Sequence, residues 1–143
     1  MRVLVLGKAT EQSESGELGS VEDFAAMNEF NEKLVEAGVV LASDGLQPTS
    51  KGKRITFDAD GSHTLIDGPF AETKELIAGF WLLQVKSLEE AIEWIKRSPN
   101  PFPGDDSEIE IRRVFDAEDF GPEITPEIKA QEGRLRAQAE KRK

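Results

Sequence analysis

The chain has 143 residues, 38% hydrophobic and 32% charged, with no cysteine and a net charge of −10. That length holds one domain with a real core and no need of metal or disulfide staples. The acid excess argues against a nucleic-acid or anionic-membrane surface, and the missing thiols exclude disulfides, thiolate catalysis and thiolate metal sites.

Met1–Gly7 is too short an apolar run for a signal peptide, and Arg2–Leu6 within it reads as a strand buried on both faces. With no targeting signal and no run near the ~20 apolar residues of a membrane span, the expected location is the cytoplasm. Residues 9–20 are polar, hold Gly16 and Gly19, and read as a loop. Ser20 with Asp23 three residues on is a capping pair that opens a helix. Its apolar stripe is Phe24, Met27, Phe30, Leu34 and Val35, and Gly38 ends it. Val39–Ala42 is a second buried strand.

Asp60-Gly61 predicts a two-residue hairpin turn between strands 54–58 and 63–67. That register sets Asp58 opposite His63, Thr56 opposite Leu65 and Arg54 opposite Asp67. One hairpin face is then mostly apolar, with Ile55, Phe57 and Ile66. The other collects Arg54, Asp58, His63 and Asp67.

Ile77–Val85 is another strand with bulk on both faces, carrying Trp81, and Ser87-Leu88-Glu89-Glu90 opens a second helix through about Arg97. Ile109–Phe115 is the last strand, and Thr125-Pro126 caps a final helix whose apolar content is too thin to fold alone. Residues 126–143 hold six basic and three acidic side chains, +3, which leaves −13 on the remainder. Such a tail is expected to dock on the acidic body or on a partner subunit.

The order strand, helix, strand, hairpin, strand, helix, strand predicts an α+β fold, a ferredoxin-like split βαβ unit with an inserted β-hairpin. Two helices cover one face of a sheet whose strands 2–6 and 77–85 are apolar on both. A second copy is the simplest cover for the other face, so a homodimer packed sheet to sheet is expected. The alternative is a monomer covered by its own tail helix.

Between hairpin and strand 77–85 lies Asp67-Gly68-Pro69-Phe70-Ala71-Glu72-Thr73-Lys74-Glu75, a sharp charged turn with Phe70 as its apolar plug. These nine residues resemble the signature of the YCII-related family in its DGPF-type branch. Gly45-Leu46-Gln47-Pro48, Gly79-Phe80 and Glu90–Trp94 extend the likeness over residues 1–116, leaving 117–143 as a C-terminal extension, expected to be helical. The resemblance implies a bacterial protein forming a dimeric α+β barrel. It also implies a suspected histidine–aspartate enzyme, whose aspartate is carried onto Asp67. The family's histidine is not matched, because the first helix offers Met27, Asn28 and Asn31 in its place.

Asp67 and His63 are therefore the candidate catalytic residues, with Arg54, Phe70 and Lys74 as candidate substrate-binding residues. A carboxylate serves as acid or base near neutrality when burial or a like charge shifts it, and imidazole titrates there by nature. The plainer roles are also open: Asp67 bonding the amides of its own turn or pairing with Arg54, and His63 idling in a surface pair with Asp58. Arg54, Lys74 and Arg112 can bind an anion in an otherwise repelling acidic protein, or simply neutralise their neighbours. Asp67, Glu72 and Glu75 lack metal-ligand spacing, and phosphate-loop, dinucleotide and serine-nucleophile motifs are absent, so neither metal nor cofactor is expected. Two functions follow: a small-molecule enzyme using Asp67 for proton transfer in a pocket beside the hairpin, or a non-catalytic ligand-binding or regulatory module. Relatives encoded near or fused to alternative sigma factors make a protein partner part of the second.

Overall fold

The computed structural model describes residues 1–141; Arg142 and Lys143, the last two charges of the basic tail, lie outside the described residues. The chain divides into two units, Met1–Arg113 and a second that begins at Val114. The first runs β1 (Arg2–Lys8), α1 (Glu11–Ser15), α2 (Val21–Glu36), β2 (Val40–Gly45), β3 (Lys53–Phe57), β4 (His63–Asp67), β5 (Ile77–Gln84), α3 (Leu88–Ile95) and β6 (Ile109–Arg113). Short 3-10 turns lie at Thr49–Lys51 and Thr73–Glu75. The architecture is mixed α+β. One antiparallel four-stranded sheet has the order β2-β5-β1-β6, and β3 and β4 form a separate hairpin.

Side-chain alternation divides the sheet into two faces. Val3, Val5 and Leu83 are fully buried and Trp81 nearly so, and α2 and α3 bring Phe30, Leu34, Ala91 and Ile95 into the same cluster. Each such fully buried Val or Leu contributes ~1.5–3 kcal/mol. On the opposite parity, Leu4 stands beside Leu82 and Leu6 beside Phe80. These four are only half-buried.

The capping chemistry acts locally. Ser20 Oγ accepts from Asp23 N and the Asp23 carboxylate accepts from Ser20 N, both at 3.1 Å, so α2 starts where the sequence predicts. Its stripe is narrower than expected: Phe30 and Leu34 are buried, whereas Phe24 and Val35 are 51% and 64% exposed. At α3 the box is half made. Ser87 caps Glu90 N, but the Glu90 carboxylate accepts from Lys86 N instead of Ser87 N.

Residues 9–20 are not all loop. Thr10 and Ser13 bond each other reciprocally and close α1 without any apolar stripe. The hairpin also departs from its predicted register. Lys53 pairs with Asp67, Arg54 with Ile66, Thr56 with Thr64 and Phe57 with His63, one residue off. Asp58 N donates to Ser62 O and Gly61 N to Asp58 O, so Ala59-Asp60-Gly61 is a three-residue loop with Gly61 left-handed at φ 92°. That geometry is the next commonest hairpin connection after the two-residue turn. Ser62 reinforces it, its N and Oγ both donating to Asp60 Oδ1.

The second unit holds a 3-10 turn at Ala117–Asp119 and α4 (Pro126–Lys141). Phe115 and Phe120 stack there with ring centroids 5.4 Å apart, and Ile128 and Leu135 of α4 are exposed. Among the described residues no helix is long and apolar enough to cross a membrane.

Candidate functional site

The turn after β4 is seated by backbone contacts. Gly68 N donates to Gly52 O, and a Cβ on Gly68 would lie 1.7 Å from the Thr49 carbonyl oxygen, so only glycine fits this approach. Phe70 N donates to Thr49 Oγ1 at 3.1 Å. Beneath, Glu14 of α1 holds Thr49 twice, accepting from its backbone N at 3.1 Å and from its hydroxyl. Thus α1, the 3-10 turn at Thr49–Lys51 and the signature turn form one hydrogen-bonded assembly.

Beside this assembly runs an open groove of about 270 Å³, walled by Leu46, Pro48, Phe70 and Ile77 and by the cationic Lys51 and Lys53. The expected Arg54–Asp67 pair does not form. Lys53 takes Asp67 instead, Nζ to Oδ1 at 2.5 Å, with both side chains largely exposed. Arg54 turns its guanidinium onto the Phe70 ring, 3.9 Å from the centroid, a cation–π contact. His63 does not meet Asp58; its ring packs edge-on against Phe57 at 5.6 Å. The cause is the extra loop residue, which moves every partner by one position.

His63 and Asp67 sit at opposite ends of β4, ~13 Å apart at ~3.3 Å per residue. At that separation they form no dyad, and both are exposed. Lys74, in the turn Thr73–Glu75, is exposed and makes no ion pair among the described residues. The structure thus brings Arg54 and Phe70 together, with Asp67 at the groove through Lys53, and leaves His63 and Lys74 apart. Glu14, Thr49 and Lys51 were missed by sequence reasoning. The one signal for them was the Thr10-x-x-Ser13 spacing, which hints at a short capped helix.

A second cleft, about 480 Å³, is lined by α2 residues Asn28, Asn31, Glu32, Val35 and Glu36. Asn31, where the family resemblance sought a histidine, accepts from the Trp81 indole N–H at 2.8 Å. Its amide thereby serves the core's largest side chain. Among the described residues, no three His, Asp or Glu side chains converge to hold a metal ion.

The model of the YCII-related domain matches residues 1–118. The chain belongs to the YCII-related family. An uncharacterized protein of Rhizobium meliloti (strain 1021) is 39% identical over 80 residues, 56% of this chain. The matched region spans 63% of that relative's length. Among solved structures, 5-chloro-2-hydroxyhydroquinone dehydrochlorinase (TftG) from Burkholderia phenoliruptrix AC1100, in complex with 2,5-dihydroxybenzoquinone, overlays 85% of this chain and 100% of its own. Its identity is 15% and its TM-score 0.42, an overlay too loose to bear on the chemistry of this YCII-related chain.

Proposed function

We propose that this YCII-related chain is a small-molecule enzyme of the DGPF-type branch. Its ligand lies in the groove beside the hairpin, and Asp67 transfers a proton at the rim. One observation carries the reading: Lys53, a wall of the groove, holds the Asp67 carboxylate at 2.5 Å. A carboxylate so placed can take a proton from a bound C–H or O–H acid, while the ammonium beside it stabilises the anion that forms. Phe70 lines the groove with the Arg54 guanidinium stacked on its ring, and Lys74 and His63 stand outside it.

The working form in this reading is a homodimer, a ferredoxin-like α+β barrel closed by the half-buried Leu4, Leu6, Phe80 and Leu82. The strand order β2-β5-β1-β6, with helices after the first and third strands of the sheet in chain order, supports it. Residues 117–143 are then an extension of the domain. Sedimentation equilibrium at micromolar concentration should give twice the 15.8 kDa chain mass, and Leu82→Asp should dissociate and destabilise the protein together. A clean monomer would remove the barrel.

The proton-transfer step is tested by exchange. Metabolites that raise the melting temperature are incubated with the protein in D2O and followed by NMR for loss of a C–H or mass gain. Deuterium should enter with the wild-type protein and fall by two orders of magnitude or more with Asp67→Asn. Exchange that survives this substitution would sink the role of Asp67. The exposure of Asp67, 74% of its side chain, favours a second reading, a non-catalytic ligand-binding or regulatory module, to which a sigma factor would be the protein partner. Ligands that bind tightly and never exchange would establish it.

A further inference from the structure

The groove has the opposite charge character to the protein around it. The chain carries −10, yet the groove wall has two ammonium groups, Lys51 and Lys53, and no carboxylate. The two acids nearest in the hydrogen-bond network are already engaged. Asp67 is held by Lys53, and Glu14 accepts from the backbone and hydroxyl of Thr49. Lys51 makes no ion pair among the described residues, so its charge remains for a ligand.

Size and polarity narrow the ligand further. A volume of about 270 Å³ falls below the usual ~300–1,000 Å³ of drug-sized pockets, so the occupant is fragment-sized. The rest of the wall is apolar, with Leu46 and Ile77 left 51% and 38% exposed until something covers them. Phe70 faces the groove with its ring electrons already drawn by Arg54, which lowers its appeal to a second cation and suits it to an apolar or anionic neighbour.

We infer that the groove binds a small organic carboxylate, with its carboxylate at Lys51 and its flat or compact apolar body between Leu46, Phe70 and Ile77. The inference rests on the reading of this groove as the ligand site, and it names the class of ligand. A divalent or phosphorylated anion is less suited, because one free ammonium balances one charge and the apolar walls leave the remainder unpaired. Recognition by a single cation next to apolar surface also predicts that neither half of the ligand suffices alone.

The full chain is titrated by 1H–15N NMR with benzoate, acetate and benzylammonium at matched ionic strength. Benzoate should shift the amides of Thr49, Gly52, Phe70 and Ile77 saturably. Acetate should bind at least tenfold more weakly, and benzylammonium should leave these amides unmoved. Lys51→Gln, an exposed change in a short turn, should weaken benzoate at least fivefold, and Lys51→Glu further, with the rest of the spectrum unchanged. Equal binding of benzylammonium and benzoate, unchanged benzoate affinity in Lys51→Gln, or shifts confined to other parts of the chain would overturn the inference. The two readings fail separately. Benzoate in the groove without any ligand showing Asp67-dependent exchange retires proton transfer alone. Asp67-dependent exchange with a ligand that moves none of the groove amides retires the carboxylate groove alone.

Discussion

The four-stranded sheet and the two-stranded hairpin differ in what fixes their register. In the sheet, Val3, Val5, Trp81 and Leu83 must all point at the helices, and a slip of one residue would turn every one of them outward. In the hairpin, all residues of β3 and β4 are exposed, so neither face enforces a choice. There the loop decides, and three residues instead of two move Asp67 from Arg54 to Lys53. Burial makes pairing robust to local detail, whereas an exposed hairpin inherits its pairing from one turn.

The largest way to sharpen that contrast is truncation on each side. Leu83→Ala in the fully buried sheet position should cost ~2–5 kcal/mol in urea unfolding. Leu65→Ala, 60% exposed on the hairpin, should stay within ~0.5 kcal/mol. Comparable losses at the two sites would mean that the hairpin is covered by something in solution. Next is the seat that joins the hairpin to the remaining structure. Gly68→Ala forces a methyl onto the Thr49 carbonyl and should destabilise by ~1–3 kcal/mol, with the Phe70 amide losing its protection from exchange. An unchanged exchange pattern would show that the turn accommodates a side chain after all.

The smallest effect concerns the loop itself. The Ser62 hydroxyl and amide hold the Asp60 carboxyl below the ordinary aspartate range. Because the folded value lies under the unfolded one, the associated stability is present above the unfolded pKa and disappears as pH falls through the folded one. Ser62→Ala should raise the Asp60 pKa in an NMR titration, and the slight loss of stability should show at neutral pH and fade as pH falls through the folded value. The same variant breaks the comparison if its NOEs move from Phe57–His63 to Asp58–His63, since the register would then depend on Ser62 alone.

What could be read from the sequence follows the same division. The Ser20–Asp23 cap and the strands on either side of it were legible because capping spacing and continuous apolar runs encode them directly. Phe24 and Val35 were overread, since a stripe wider than the sheet it faces leaves its flanks in water. At the signature turn the expected Arg54–Asp67 pairing gives way to Arg54 on Phe70 and Lys53 on Asp67. A single loop residue decides between Lys53 and Arg54, and Asp60-Gly61 suits both loop lengths. Glu14 was hidden for another reason. It lies 35 positions from Thr49 on a helix with no apolar period, and nothing local announces such a contact.

The close approach at Gly68 restricts how this turn can change over time. Its steric partner is a main-chain oxygen, present whatever side chain occupies position 49. No replacement at Thr49 can therefore make room, and a suppressor search against Gly68→Ala should return insertions or deletions in 47–52, not point substitutions. Paired-substitution statistics across relatives would show position 68 as invariant and uncoupled. The constraint there lies in the path of the backbone, and only a change in loop length can release it.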